Sequence, residues 1–180
     1  MARAAHRLAT DPLLIARLVS KRPEWTAEAI ENTALEGDLG YEADCRFAEF
    51  SGPATLFAYS CGIKARWKNK VIRWICGGAS GELWRQSLLL RSGRIIYVSE
   101  GESDALTLLS SGVEQQGESL VAALASAQIM PKAEPFKGRD IVIVPDPDSA
   151  GVQAERKLRS RLQPLTRSIV TVSIQEVLNG

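Results

Sequence analysis

The sequence predicts an α/β protein with a mostly parallel sheet flanked by helices, preceded by a small lobe of helices and basic strands. Hydrophobic runs alternate with helical patterns after residue 92, and short runs between glycines fill residues 37–92. Two helical patterns lie within residues 1–36. Strands that alternate with helices are typical of parallel sheets. We therefore predict three segments: N-terminal helices in 1–36, a strand-rich basic lobe in 37–92, and an α/β domain in 93–180.

The N-terminal segment contains signals for two helices. Asp11 can cap a helix over residues 11–22, and Pro12 suits its first position. Apolar residues follow at helical spacing until Pro23, which ends the pattern. Thr26 has the position of an N-cap for a second helix.

The middle segment combines short strand patterns with positive charge. The runs ATLFAY, IKARW and VIRWI predict strands separated by glycine turns. From Lys64 to Arg94 there are eight basic residues and one acidic residue, although the whole chain has a net charge of only +1. Basic side chains interleaved with Trp67 and Trp74 suit single-stranded nucleic acid. The alternative is a solvated strand face with tryptophans in the core.

The C-terminal segment has a regular order of strands and helices. The runs IIYVS (95–99), SLVAAL (119–124), DIVIVP (140–145) and SIVTVSI (168–174) predict four strands. A helix is predicted after the first strand, with Gly112 as its stop, and another from Ser149 onward. This order predicts a parallel sheet.

Several protein classes are excluded by composition. The three cysteines form no CxxC pair and His6 is the only histidine, which argues against a zinc site and against a disulfide framework. The sequence contains no apolar run near the ~18 residues of a membrane span. Nor does a signal-peptide core follow the N-terminus. We expect a cytoplasmic protein with no membrane partner.

Carboxylates follow two of the predicted strands. Glu100 comes directly after the 95–99 strand, and Asp146 and Asp148 follow the 140–145 strand. If these strands are neighbours in one parallel sheet, the three side chains meet at one edge. They would repel one another unless a cation neutralises them, and oxygen ligands suit Mg²⁺ or Mn²⁺. The alternative for any one of them alone is a helix cap.

The two motifs resemble those of the Toprim domain. That domain is shared by bacterial DNA primases, type IA and type II topoisomerases, OLD-type nucleases and recombination proteins. The resemblance covers roughly residues 93–176. It implies that Glu100, Asp146 and Asp148 are the catalytic and metal-binding residues, and that the rest of the two motifs is represented by Gly101, Asp104 and Gly151.

The form Asp-x-Asp-x-Ala-Gly is most similar to primases and to phage or plasmid primase-helicases. This resemblance implies that Lys64 and Arg66 contact template or nucleotide phosphate. We extend the predicted nucleic-acid or nucleotide-binding set to three neighbouring basic residues, Lys68, Lys70 and Arg73.

The predicted function is DNA primase-like nucleotidyl transfer on a single-stranded template, dependent on Mg²⁺ or Mn²⁺. It would serve the replication of a phage, plasmid or other mobile element. The expected partners are single-stranded DNA or RNA, nucleoside triphosphates and a helicase. Two alternatives stay open: a metal-dependent nuclease that uses the same carboxylates, and a non-catalytic nucleic-acid-binding fragment of a larger primase-helicase.

The helix predicted from Ser149 carries four basic residues: Arg156, Lys157, Arg159 and Arg161. They fit a solvated helix face. They also fit a face that follows phosphates, because the helix begins beside the predicted metal site.

Overall fold

The structure is a computed structural model that describes residues 1–68, 71–78, 81–90, 93–126 and 128–179. The chain divides into two compact units, Met1–Ala79 and Ser80–Gly180. The first unit contains three helices and an antiparallel sheet, and the second contains the parallel sheet with its helices. The mixed α/β architecture predicted from the sequence is therefore confirmed.

The helices of the first unit are α1 (Ala2–Thr10), α2 (Pro12–Lys21) and α3 (Ala27–Leu35). Both predicted caps are present. The Asp11 side chain accepts hydrogen bonds from the backbone of the first turn of α2, and Thr26 accepts one from the Ala29 amide at 3.2 Å. The sequence analysis did not predict α1, which buries mainly alanine and has no side-chain cap.

The sheet of the first unit is an antiparallel meander of β1 (Leu39–Phe47), β2 (Phe50–Tyr59), β3 (Gly62–Trp67) and β4 (Ile72–Gly77). One face of this sheet packs with Ala4 of α1 in a cluster that includes Leu56, Ala65 and Trp67. The Trp67 indole donates to the Cys45 carbonyl at 3.2 Å. Trp67 therefore belongs to the core. This agrees with the alternative interpretation of the basic lobe, in which the tryptophans are core residues.

The sheet of the second unit contains β5 (Ile95–Ser99), β6 (Ser119–Ala123), β7 (Asp140–Val144) and β8 (Ser168–Thr171). Their spatial order is β6-β5-β7-β8, and all three pairings are parallel. The α-helices of this unit are α4 (Glu102–Ser110), α5 (Ser149–Leu162) and α6 (Ile174–Asn179), and two short 3-10 helices span Gln86–Leu90 and Glu134–Phe136.

One apolar cluster holds α5 against the parallel sheet. Ile96 and Ile141 of the central strands are fully buried, and they share this cluster with Leu158 and Leu162 of α5. Each such side chain contributes roughly 1.5–3 kcal/mol by leaving water. This packing anchors α5, whose first residue follows the second carboxylate motif.

The last predicted strand is too long. The strand predicted over 168–174 ends at Thr171, and α6 begins at Ile174. Ser173 and Glu176 form a reciprocal capping pair: the Glu176 carboxylate accepts from the Ser173 amide at 2.6 Å, and the Ser173 hydroxyl accepts from the Glu176 amide at 3.2 Å. Such a box starts a helix even where β-branched residues precede it.

Among the described residues, none of the helices combines the length and the apolarity that a membrane span requires.

Candidate functional site

The two strands that end in carboxylates are direct neighbours. β5 and β7 pair in parallel over their full length, from Ile95 opposite Asp140 to Ser99 opposite Val144. Glu100 therefore leaves the sheet next to the Pro145–Asp146 segment. The condition on which the sequence analysis based a common site, that these strands adjoin in one parallel sheet, is met.

Short local contacts set the direction of the chain after each strand. After β5, the Ser99 hydroxyl donates to the Gly101 carbonyl at 2.9 Å, and Gly101 is the N-cap of α4. After β7, Asp148 is the N-cap of α5, and its Oδ1 accepts from the Gly151 amide at 2.8 Å. A carboxylate has two oxygens, so capping a helix does not exhaust what Asp148 can bind.

We call the group Glu100, Asp104, Asp146 and Asp148 the carboxylate edge. Burial raises the pKa of Glu100, and the negative charges of the other three carboxylates raise it further. The backbone of Asp146 hydrogen-bonds to Glu100 and acts in the opposite direction. Burial also raises the pKa of Asp146, and the charge of Asp148 adds to this effect. Glu100 is thus close enough to the other three carboxylates for their charges to act on it, and Asp146 is close enough to Asp148.

The carboxylate edge has one clear deficit in hydrogen bonding. Oε2 of Glu100 is buried and has no hydrogen-bond partner. Leaving a buried carboxylate oxygen unpaired costs free energy, and a cation or a donor from a substrate would remove that cost. The donor set is all oxygen, which suits Mg²⁺ or Mn²⁺.

The carboxylate edge does not form a closed metal cage. Within the part of the chain that the structure describes, no three Asp, Glu, His or Cys side chains are arranged so that they could hold an ion between them. Mg²⁺ in enzymes is commonly bound by one or two carboxylates, with water and substrate phosphate as its other ligands. The residues present fit that open kind of binding, and they do not fit an all-protein site.

The predicted basic set does not form one surface. Lys64 and Arg66 alternate along β3 and share one face of the antiparallel sheet, where Lys64 is buried and Arg66 is half-buried. Arg73 of β4 pairs with Ala65, so it lies on the opposite face, where its guanidinium is 5.1 Å from the centre of the Phe50 ring. Lys68 is exposed just beyond the end of β3, and Lys70 lies outside the described residues.

Sequence reasoning missed an ion pair that supports the site's sheet. Arg85 is buried and makes a two-pronged contact with the Glu114 carboxylate, at 2.7 and 2.8 Å. Glu114 also accepts from the Val121 amide at 2.7 Å, while Arg85 donates to the Val121 carbonyl at 3.1 Å. The pair therefore takes the place of a neighbouring strand at Val121, between the backbone bridges that Gln115 and Trp84 form with Ser119 and Ala123 of β6. No local pattern could reveal it, because 29 residues separate the partners.

No family model matches this chain, and no curated protein matches it. Solved structures do. The primase fragment of the primase-helicase protein of bacteriophage T7 matches with a TM-score of 0.60 and 20% identity, over 87% of this chain and 67% of that one. The second is a chain from a structure of bacteriophage T7 lagging-strand DNA polymerase interacting with primase domains of two gp4 subunits bound to an RNA/DNA hybrid and dTTP. It matches with a TM-score of 0.57 and 20% identity, over 78% of this chain and 74% of that chain. The chain has a primase-like fold.

Proposed function

We propose that this chain is a primase-like Toprim module that transfers nucleotides onto a single-stranded nucleic-acid template. The observation that carries the proposal is the adjacency of Glu100 to Asp146 and Asp148 at the ends of β5 and β7, with a buried oxygen of Glu100 lacking a hydrogen-bond partner. Clustered carboxylates with raised pKa values are typical of sites that bind cations or handle protons.

The similar structures support the substrate class. The T7 complex contains primase domains bound to an RNA/DNA hybrid and dTTP, and the T7 fragment comes from a primase-helicase. By this likeness the present chain would take a nucleic-acid strand and a nucleoside triphosphate, and its partner would be a helicase. Its setting would be the replication of a phage, plasmid or other mobile element.

Each residue of the carboxylate edge has a role in this proposal. Asp146 and Asp148 would hold Mg²⁺ or Mn²⁺, and the bound ion would neutralise charge on a transferred phosphoryl group. Glu100 would accept the proton of the attacking hydroxyl, a role for which a raised pKa is an advantage because general bases work best near the ambient pH. Gly101, Asp104 and Gly151 would shape the two turns.

The basic lobe would hold the template. Arg66 is half-buried on the same face of β3 as Lys64 and can neutralise phosphate charge, whereas Lys64 itself is buried. Lys68 lies just beyond the end of the same strand. Because Arg73 is on the other face, we do not include it in the same contact surface.

A single gel assay tests the function. Labelled single-stranded DNA is incubated with ribo- and deoxyribonucleoside triphosphates, with Mg²⁺, with Mn²⁺, or with a chelator. We expect a ladder of new products only with metal, and its loss in Glu100→Gln and Asp146→Asn. The control is Asp44→Asn, an exposed carboxylate paired with Arg46 in β1, which should leave the ladder unchanged.

The other outcomes identify the alternatives. Metal-dependent shortening of the labelled strand, lost in the same two variants, would establish a nuclease instead. Binding without any turnover would indicate a nucleic-acid-binding module that needs a partner to complete its site. Either result would overturn the proposed activity.

A further inference from the structure

The four tryptophans of the chain differ in burial. Trp25, Trp67 and Trp84 are buried, with exposed fractions of 5%, 5% and 0%. Trp74 of β4 keeps part of its surface in solvent. Trp74 is therefore the tryptophan whose ring a ligand could reach.

The strand pairing places Trp74 on the face of the antiparallel sheet that carries the basic residues of β3. Trp74 lies directly opposite Lys64, and Ile72 lies opposite Arg66. Arg66 and Trp74 are thus diagonal neighbours, and such residues are usually about 7–8 Å apart. β4 is the last strand in the order of this sheet, so Trp74 lies at its edge. An indole and a guanidinium group therefore lie side by side on this face.

A second aromatic ring holds Trp74 in position. Tyr59 of β2 contacts Trp74, with the ring centroids 4.8 Å apart and an angle of 58° between the ring planes. Aromatic pairs favour such tilted arrangements. A side chain that is already held in place loses little conformational entropy when a ligand binds to it. The indole of Trp74 is therefore preorganised for contact with a flat ligand.

The opposite face of the sheet has a comparable pair, Phe50 and Arg73, in a different environment. The Arg73 guanidinium lies 5.1 Å from the centre of the Phe50 ring. Phe50 also contacts the Trp67 ring at 5.7 Å and packs against the core cluster of that face. Because groups of the protein itself already contact this ring, Phe50 provides a matched control for Trp74.

We propose that Trp74 stacks on a base of the single strand whose phosphates Arg66 contacts. This inference rests on the proposed function, in which the basic lobe holds the template. Every base has a π-face, so stacking on an aromatic side chain tolerates any sequence. In a duplex each base is already paired and stacked, and exposing it costs free energy. Trp74 would therefore give the lobe a preference for single strands over duplex.

The test compares two oligonucleotides that carry the same phosphates. One is an oligothymidylate of about 16 nucleotides, a length within the range of single-strand binding sites. The other has the same length and consists of abasic sites, so it has no base to stack. Fluorescence anisotropy of the labelled oligonucleotides measures their affinities for the full chain. The variants are Trp74→Leu, which removes the ring, Trp74→Phe, which keeps a ring, and the control Phe50→Leu.

The expected result is a loss of base dependence in one variant only. Wild type should bind the oligothymidylate roughly 5- to 150-fold more tightly than the abasic strand, which is the contribution of one base stacked on an aromatic ring. Trp74→Leu should lose this preference, whereas Trp74→Phe and Phe50→Leu should retain it. The salt slope of Trp74→Leu should equal that of wild type, because no phosphate contact is removed.

Tryptophan emission provides a second readout. Stacking on a base should quench the emission of wild type when the oligothymidylate binds. Trp74→Phe should show no quenching although it binds, because its three remaining tryptophans are buried. Circular dichroism and thermal melts verify that the variants are folded. If Trp74→Leu does not fold, the emission decides, and an unquenched wild type overturns the proposal.

The outcomes separate this inference from the proposed function. If wild type binds both oligonucleotides equally and with a steep salt dependence, this inference fails while the proposed function stands. The same conclusion follows if folded Trp74→Leu keeps the preference for bases, or if Phe50→Leu loses it to the same extent. If wild type binds no single strand at all, both fail.

Discussion

Gly151 lies directly against the backbone of Asp146. A Cβ placed on Gly151 would overlap the Asp146 carbonyl oxygen and would lie 2.9 Å from the carbonyl carbon and from the amide nitrogen of the same residue. The first turn of α5 can therefore approach the second carboxylate motif only because residue 151 has no side chain. This contact links the path of α5 to the position of Asp146.

We predict that Gly151→Ala displaces Asp146 and destabilises the fold by about 1–3 kcal/mol, the usual cost of overpacking. The backbone atoms it would meet cannot move aside as a flexible side chain does. Chemical denaturation measures the stability, and calorimetry measures Mn²⁺ binding, which should weaken. Gly78→Ala is the control, because a Cβ at Gly78 meets nothing within 4 Å. Stability and Mn²⁺ binding equal to those of the control would contradict this account.

Neutralising the carboxylate edge should stabilise the metal-free protein at neutral pH. The folded-state pKa values of Glu100 and Asp146 lie above their ordinary values. At a pH between the ordinary and the folded-state values, the folded chain therefore binds more protons than the unfolded chain. Their contribution to stability is greatest in acid and is lost as the pH rises through the folded pKa values. Asp146→Asn should therefore raise Tm at pH 7 in a chelating buffer.

The same measurement at lower pH supplies the internal check. At pH values below the ordinary carboxyl pKa of about 4, Asp146 of wild type is protonated in both the folded and the unfolded chain. The stability that Asp146→Asn gains over wild type should therefore vanish there. Asp44→Asn should give no gain at any pH, because Arg46 lowers the pKa of Asp44. A wild type that is more stable than Asp146→Asn at pH 7 without metal would refute the repulsion argument.

A divalent metal ion should make wild type more stable than Asp146→Asn, the reverse of the order expected without metal. At about 100 times its dissociation constant, a ligand that binds only the folded chain adds about 2.7 kcal/mol, or roughly 5–10 °C in Tm for a chain of this size. Mg²⁺ or Mn²⁺ should raise the Tm of wild type and leave that of D146N/D148N unchanged. Asparagine is the proper replacement at Asp148, because its oxygen can still cap α5 at Gly151. A double variant that gains as much as wild type would show that the ion binds elsewhere.

The pair formed by the buried Arg85 and the partly buried Glu114 should be essential to the parallel sheet. Breaking such a pair leaves an uncompensated charge and costs about 3–5 kcal/mol. Glu114→Ala also removes the acceptor of the Val121 amide on the outer edge of β6. Urea unfolding measures the loss. Glu24→Ala breaks the exposed Arg22–Glu24 pair and serves as control, with an expected cost of about 0–1 kcal/mol. Equal costs for the two variants would contradict the role assigned to Glu114.

One face of the antiparallel sheet should make most of the contacts with single-stranded DNA. Arg66→Gln should reduce the salt slope for single-stranded DNA by about 0.7, the share of one phosphate contact. Arg73→Gln is the matched variant on the opposite face and should leave the slope unchanged. Fluorescence anisotropy over a salt series measures both. The reverse pattern would move the binding surface to the Phe50 side of the sheet.

Much of the fold was determined by local patterns in the sequence. The runs 95–99 and 140–144 are strands in the structure, because hydrophobic β-branched residues between turn signals favour a buried strand. Asp11, Thr26 and Gly112 mark helix ends as predicted, since each acts on its own neighbours in the chain. The predicted end of the last strand was wrong, and local sequence could have corrected it, because the Ser173–Glu176 spacing is that of a capping box.

Local sequence also indicated which residues form the carboxylate edge, but it could not show that they lie close together. The positions of Glu100, Asp146 and Asp148 after strands were visible in the sequence, but their proximity depends on β5 and β7 being parallel neighbours. Strand order follows from which apolar faces pack together, and that involves residues about 45 positions apart. The unpaired oxygen of Glu100 likewise depends on burial, a property of the folded chain.

Only the tertiary structure decided how the basic residues are distributed. Alternation along β3 puts Lys64 and Arg66 on one face, yet the face of Arg73 depends on the pairing register of β4, which places it opposite Ala65. A shift of one residue in that register would move Arg73 to the other side, because side chains alternate along a strand. The pairing of Arg85 with Glu114 has the same origin, since nonlocal packing brings distant charges together where no sequence spacing can show it.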